Sequence, residues 1–208
     1  MRGALAARWA SLGERLAAVG PWADEGERLL EAWSEPHRAY HTLVHLSACL
    51  DELDRVRILA REPDLLALAL WFHDAIYDPL AHDNEARSAA WASRSAHAVG
   101  LSRHADRLSA LVLATRHDAL PTDPDMALLV DVDLSILGQP PAVFDAYERE
   151  VRREYAHVPD ALFAAGRGRI LASLLARPAL YQTPAMAERY EAAARANLER
   201  ALGSLTTA

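Results

Sequence analysis

Asp64-Leu65-Leu66-Ala67-Leu68-Ala69-Leu70-Trp71-Phe72-His73-Asp74 is the stretch on which the fold turns. Asp64 suits a helix N-cap, and the residues from Leu65 to Phe72 are apolar on every face. A helix made of them belongs in the middle of a bundle. The run is far shorter than the roughly 20 residues that cross a bilayer. It ends by setting an imidazole beside a carboxylate, His73 and Asp74. The spacing predicts a helix over residues 65–76 that delivers both in its last turn, before Tyr77-Asp78-Pro79 breaks it.

Outward from this stretch, helical periodicity continues in both directions. Towards the N-terminus, a helix is expected over residues 38–62. It carries His41 and His45 four apart, so that both imidazoles project from one face. Cys49 follows on a neighbouring face and reads as a small buried hydrophobe. Two earlier helices are expected over residues 2–19 and 24–33, the first with Leu5, Trp9, Leu12 and Leu16 along its core side. Towards the C-terminus, helices are expected over residues 84–99, 102–116, 125–134, 141–157, 160–176 and 184–202. The helix beginning at Asp125 carries Asp131 and Asp133 in apolar company, and acids so placed need a reason. No alternating strand pattern appears between paired turn residues. The expected fold is therefore all-α, an irregular bundle of about ten helices. It is read as one domain over residues 1–208, with a core over about 38–138 on which the helices of 140–202 pack.

Composition narrows the functional classes. The formal net charge of −7 is the wrong sign for holding long nucleic acid. No lysine occurs, which excludes Schiff-base catalysis and a P-loop. The single cysteine cannot close an internal disulfide, so a reducing, cytoplasmic setting is expected, with no membrane partner.

His45, His73, Asp74 and one acid from Asp131 or Asp133 form a set of two imidazoles and two carboxylates. Such a set suits manganese, magnesium, iron, nickel or zinc and leaves positions open for water and substrate. A divalent ion held this way lowers the pKa of a bound water and polarises a phosphoryl oxygen. Residues two apart on a helix stand about 200° apart, so Asp131 and Asp133 cannot both face one ion.

His45, then His73-Asp74, then Asp133, on separate helices, resembles the signature of the HD superfamily of metal-dependent phosphohydrolases. Tyr40-His41-Thr42-Leu43-Val44-His45 also resembles a helix of cyclic-nucleotide phosphodiesterases, in which the earlier histidine protonates the leaving group and the later one binds metal. More broadly, the chain is similar over about residues 5–202 to a bacterial family of predicted HD phosphohydrolases without established substrate. The shared pattern includes Trp71-Phe72-His73-Asp74, Tyr77-Asp78, Asn84-Glu85, Ser88-Ala89, Thr115, His117, Asp131, Asp133-Leu134, Leu137-Gly138, Arg152, Glu154-Tyr155 and Gly166-Arg167.

The resemblance implies an HD-type fold and hydrolysis of a small phosphate ester or nucleotide. His45, His73, Asp74 and Asp133 are implied as ligands, with Asp133 preferred to Asp131 because the ligand in related proteins stands before a leucine. Asp131 is left to cap a helix or to support a ligand. His41 is implied as general acid. Glu85 is a candidate to orient the attacking water or bond His41, and His117 a further ligand or phosphate contact. Arg152 and Arg167 are candidates to grip phosphate, because a guanidinium fork matches its oxygens. Tyr77 is a candidate wall for a base or sugar. Two other readings are carried: an HD-type di-iron oxygenase, for which His117 would supply an extra ligand, and a non-catalytic ligand-sensing module.

Overall fold

The computed structural model describes residues 1–206. Among them are ten α-helices and no strand, so the fold is all-α. In order they are α1 (Arg2–Leu16), α2 (Trp22–Ala32), α3 (Leu43–Val56), α4 (Pro63–Phe72), α5 (Asn84–Ala98), α6 (Ala105–Ala114), α7 (Pro124–Asp133), α8 (Pro141–Glu154), α9 (Asp160–Leu175) and α10 (Pro184–Thr206). A 3-10 turn, Leu134–Gly138, continues directly from α7. No single helix is long and apolar enough to cross a membrane. The described residues cluster into two compact units, Met1–Leu129 and Val130 onward, and the division falls within α7.

In the first unit α4 is the centre: every residue from Leu65 to Phe72 is buried. Its N-terminus is tied down by Asp125, whose carboxylate oxygens accept from the backbone amides of Arg61 and Glu62 at 2.9 Å each. Asp123 in turn caps α7, accepting from the amides of Asp125 and Met126 at 3.0 Å. Its carboxyl is held below the usual range, first by the Arg107 guanidinium. The α1–α2 pair is locked by two indoles. Trp9 and Trp22 stack at 4.0 Å, and each donates its Nε1–H to the other's carbonyl, at 2.7 and 3.0 Å. Gly13 lies under the Trp22 ring and Gly26 under the Trp9 ring, and a Cβ at either would run into that indole. Only glycine lets the helices close this far.

The second unit is held by side chains that bind backbone. Asp131 caps α10, accepting from the amides of Gln182 and Thr183 at 2.8 and 2.7 Å and from the Thr183 hydroxyl at 2.7 Å. Burial raises its carboxyl, against the pull of those three bonds. Glu191 receives the amides of Leu180 and Tyr181. Asn197 donates to the carbonyls of Leu137 and Gln139 at 2.9 and 2.8 Å. Tyr181 donates to the Leu134 carbonyl at 2.9 Å, and burial pushes its phenol upward.

Helix boundaries differ from expectation where capping overrides periodicity. The helix expected over residues 38–62 begins only at Leu43, because Thr42 adopts an extended backbone and its hydroxyl accepts from the Val44 amide. The helix expected to run to residue 76 ends at Phe72.

Candidate metal centre

His45 projects from the first turn of α3, and His73 is the residue that closes α4. Their Nε2 atoms stand 3.1 Å apart. The Nδ1–H of His73 donates to the Leu70 carbonyl at 2.8 Å, one of the acceptors a helix end leaves over. That bond fixes the tautomer and turns the Nε2 lone pair of His73 towards His45. Neutral imidazoles can meet nitrogen to nitrogen in two ways. Either one donates to the other, or both direct lone pairs at a common cation.

Asp74 adds an anionic oxygen at the same point. Its Oδ2 is 3.2 Å from His73 Nε2 and 3.8 Å from His45 Nε2. Ligand atoms about 2.1 Å from one ion, at tetrahedral or right-angle spacing, stand roughly 3.0–3.4 Å from each other. The His45–His73 and His73–Asp74 separations fall within that interval, and the His45–Asp74 separation of 3.8 Å is wider than it. His45, His73 and Cys49 also bring donor atoms within 4.8 Å of one another, a buried group that can hold a metal.

Cys49, not anticipated as part of the site, is four residues past His45, and its Sγ is 3.7 Å from both ring nitrogens of His45. A thiolate sharing an ion with His45 Nε2 would stand roughly an ångström or more nearer to that nitrogen than to Nδ1. Equal distances put the sulfur beside the ring. Cys49 therefore packs against His45, and the two imidazoles and Asp74 are the better-aimed donors.

His41 reaches the site by a different route from the one expected. It is not on α3 at all: it sits in a tight turn in which the Thr42 amide donates to the Tyr40 carbonyl at 2.7 Å. Its ring nevertheless lies 5.8 Å from that of His45, and its Nε2 is 3.9 Å from Asp74 Oδ2. Side-chain exposure rises from 1% at His73 and 4% at His45 to 17% at Asp74 and 21% at His41. The imidazoles of His45 and His73 form the floor, and Asp74 and His41 face outward. Tyr77 is mostly buried, stacked at 4.1 Å on the His41 ring. It is a support for His41 before it is a wall for substrate.

The loop that carries Asp74 and Tyr77 is pinned to the start of α5. The Ile76 amide donates to the Ser88 hydroxyl at 3.0 Å, and Asn84 exchanges two bonds with the Asp78 backbone at 3.1 and 2.8 Å. Glu85, between those two residues, is half-buried in the first turn of α5, where the helix dipole favours its charge.

Other expectations are corrected by how the side chains are used. His117 follows α6 in a left-handed turn (φ 58°) and is not among the donors gathered at His45. Arg152 joins α8 to α9, donating to the carbonyls of Tyr155 and Val158 at 2.6 and 2.9 Å and to Asp160 at 2.6 Å, with Phe163 beneath it. Arg167 is buried in a forked ion pair with Glu148 and bonds the Tyr147 hydroxyl at 2.6 Å. The Arg167 fork is buried in its pair with Glu148, whereas that of Arg152 meets the exposed Asp160 at the surface. Asp131 is consumed as the α10 cap.

No known protein family, curated protein or solved structure matches the chain.

Proposed function

We propose that the chain is a metal-dependent phosphohydrolase of the HD type, acting on a small phosphate ester or nucleotide. The observation that carries this reading is the convergence of His45 Nε2, His73 Nε2 and Asp74 Oδ2 within 3.1–3.8 Å, with the His73 tautomer set by Leu70. His45, His73 and Asp74 hold a divalent ion (Mn, Mg, Fe, Ni or Zn) in this reading. Bound there, the ion supplies an activated water and neutralises charge at phosphorus.

The protein's own groups do the rest. His45 and His73 bind through Nε2 from a dry floor, and the Leu70 carbonyl keeps the His73 ring oriented. His41, on the exposed side, holds a proton at Nε2 for the departing oxygen, and Tyr77 keeps its ring in line. The single cysteine, which forms no disulfide, supports a cytoplasmic assignment.

The test is metal content and turnover of the purified chain on a panel of phosphate esters and nucleotides with each of the five metals. Activity with at least one metal is expected, together with loss of both metal and turnover in Asp74→Ala. An Asp74→Ala chain with full metal content and full turnover would sink the proposal.

A further inference from the structure

We infer that Arg38 is a positioning residue of this centre, the clamp that sets where His41 stands against Asp74. The inference rests on the metal reading above. Neither residue belongs to a helix: His41 lies in the turn before α3 and Asp74 in the turn after α4. No helical register therefore sets their separation, and something else must.

The Arg38 side chain is fully buried (0% exposed) and spends all five of its N–H donors there. Nη1 donates to the His41 carbonyl at 3.1 Å and to the Asp74 carbonyl at 2.7 Å. Nη2 donates to the Ala75 carbonyl at 3.1 Å and to Glu35 at 3.0 Å, and Nε donates to Glu35 at 3.1 Å. Trp33 and Tyr77 each place a ring 5.5 Å from the guanidinium carbon. One nitrogen thus bonds both peptides whose side chains meet across 3.9 Å in the site. Burying a guanidinium is costly, and it persists where several acceptors converge that water cannot reach. A lysine, a point charge with three donors, cannot reproduce the planar fork.

The test compares the full-length wild type with Arg38→Lys and Arg107→Ala. Arg107 is a second clamp at the other end of α4, bonding Glu62 at 3.1 Å and Asp123 at 2.8 Å. Mn²⁺ affinity is measured by calorimetry, Co²⁺ uptake by visible absorption and stability by urea unfolding. Arg38→Lys should bind Mn²⁺ at least about tenfold more weakly and show an altered Co²⁺ spectrum, as loss of an outer partner does. Arg107→Ala should lose stability yet stay within about twofold of wild-type affinity. If Arg38→Lys does not fold, Glu35→Ala removes the clamp's half-exposed anchor and should lower affinity in the same direction. Wild-type affinity in the folded Arg38 or Glu35 variant, or an equal loss in Arg107→Ala, overturns the assignment alone. A wild-type chain that takes up no ion overturns the metal reading and this assignment with it.

Discussion

Both units bury polar side chains that staple backbone, and the first unit also gathers imidazoles and a carboxylate at one point. In the second unit, Asp131, Glu191, Asn197 and Arg167 each face groups of complementary character: amides meet carboxylates, carbonyls meet an amide, and a guanidinium meets an acid. In the first unit, two imidazole nitrogens and a carboxylate oxygen face each other. Acceptors turned on one another repel unless a proton or a cation stands among them. The contrast separates buried polar groups that staple a fold from a group of donors that could hold a metal ion. Burial alone does not make that distinction; what each atom faces does.

The sharpest way to break the comparison is at the carboxylates. Asp74→Ala should abolish stoichiometric metal binding and reduce turnover by more than the ten- to hundredfold that loss of an outer partner costs, read by elemental analysis and steady-state kinetics. Asp131→Ala should leave metal content unchanged and cost about 2–3 kcal/mol, because two buried amides and a hydroxyl lose their acceptor. Urea denaturation gives that number. If Asp131→Ala instead sheds metal, the division into staple and site is wrong.

Smaller effects sharpen the same line. Gly13→Ala or Gly26→Ala should cost about 1–3 kcal/mol, since a methyl group must displace an indole, with no effect on metal affinity. Arg152→Ala should cost at most about 1 kcal/mol and leave KM unchanged. A large rise in KM would restore Arg152 to the phosphate-binding role that its internal bonds argue against.

The smallest effect is acid sensitivity in the first unit. The Asp123 carboxyl is held down mainly by Arg107, and that of Asp64 is held down by Arg57 and Arg15 despite burial, which raises it. Folded values lie below the ordinary 3.8, so their contribution is complete above that pH and is lost as pH falls through the lowered values. Urea midpoints followed from pH 5 downward should fall less steeply in Asp123→Asn than in the wild type.

Much of the architecture was legible locally. A run such as Leu65 to Phe72, apolar on every face, has no stable place but the centre of a helical bundle. His45 and His73-Asp74 were legible as donors by residue type and by the helices that carry them. Helix starts were less so, although Thr42 is a cap by chemistry and its signal was outweighed by the apolar pattern around it. Cys49 was visible at four residues from His45, but no spacing says whether a sulfur points along a lone pair or beside a ring.

By itself, then, the sequence determined that the chain is helical, which helix is central and where along the chain the histidines stand. These follow from periodicity and residue chemistry, which act within one or two turns. Only the tertiary structure decided that Arg38 clamps the peptides of His41 and Asp74, that Asp131 caps α10, and that Arg167 is buried against Glu148. Those roles depend on which backbone groups are left without partners when distant segments pack. That is a property of the assembled chain, since each such group becomes costly only once water has been excluded from it.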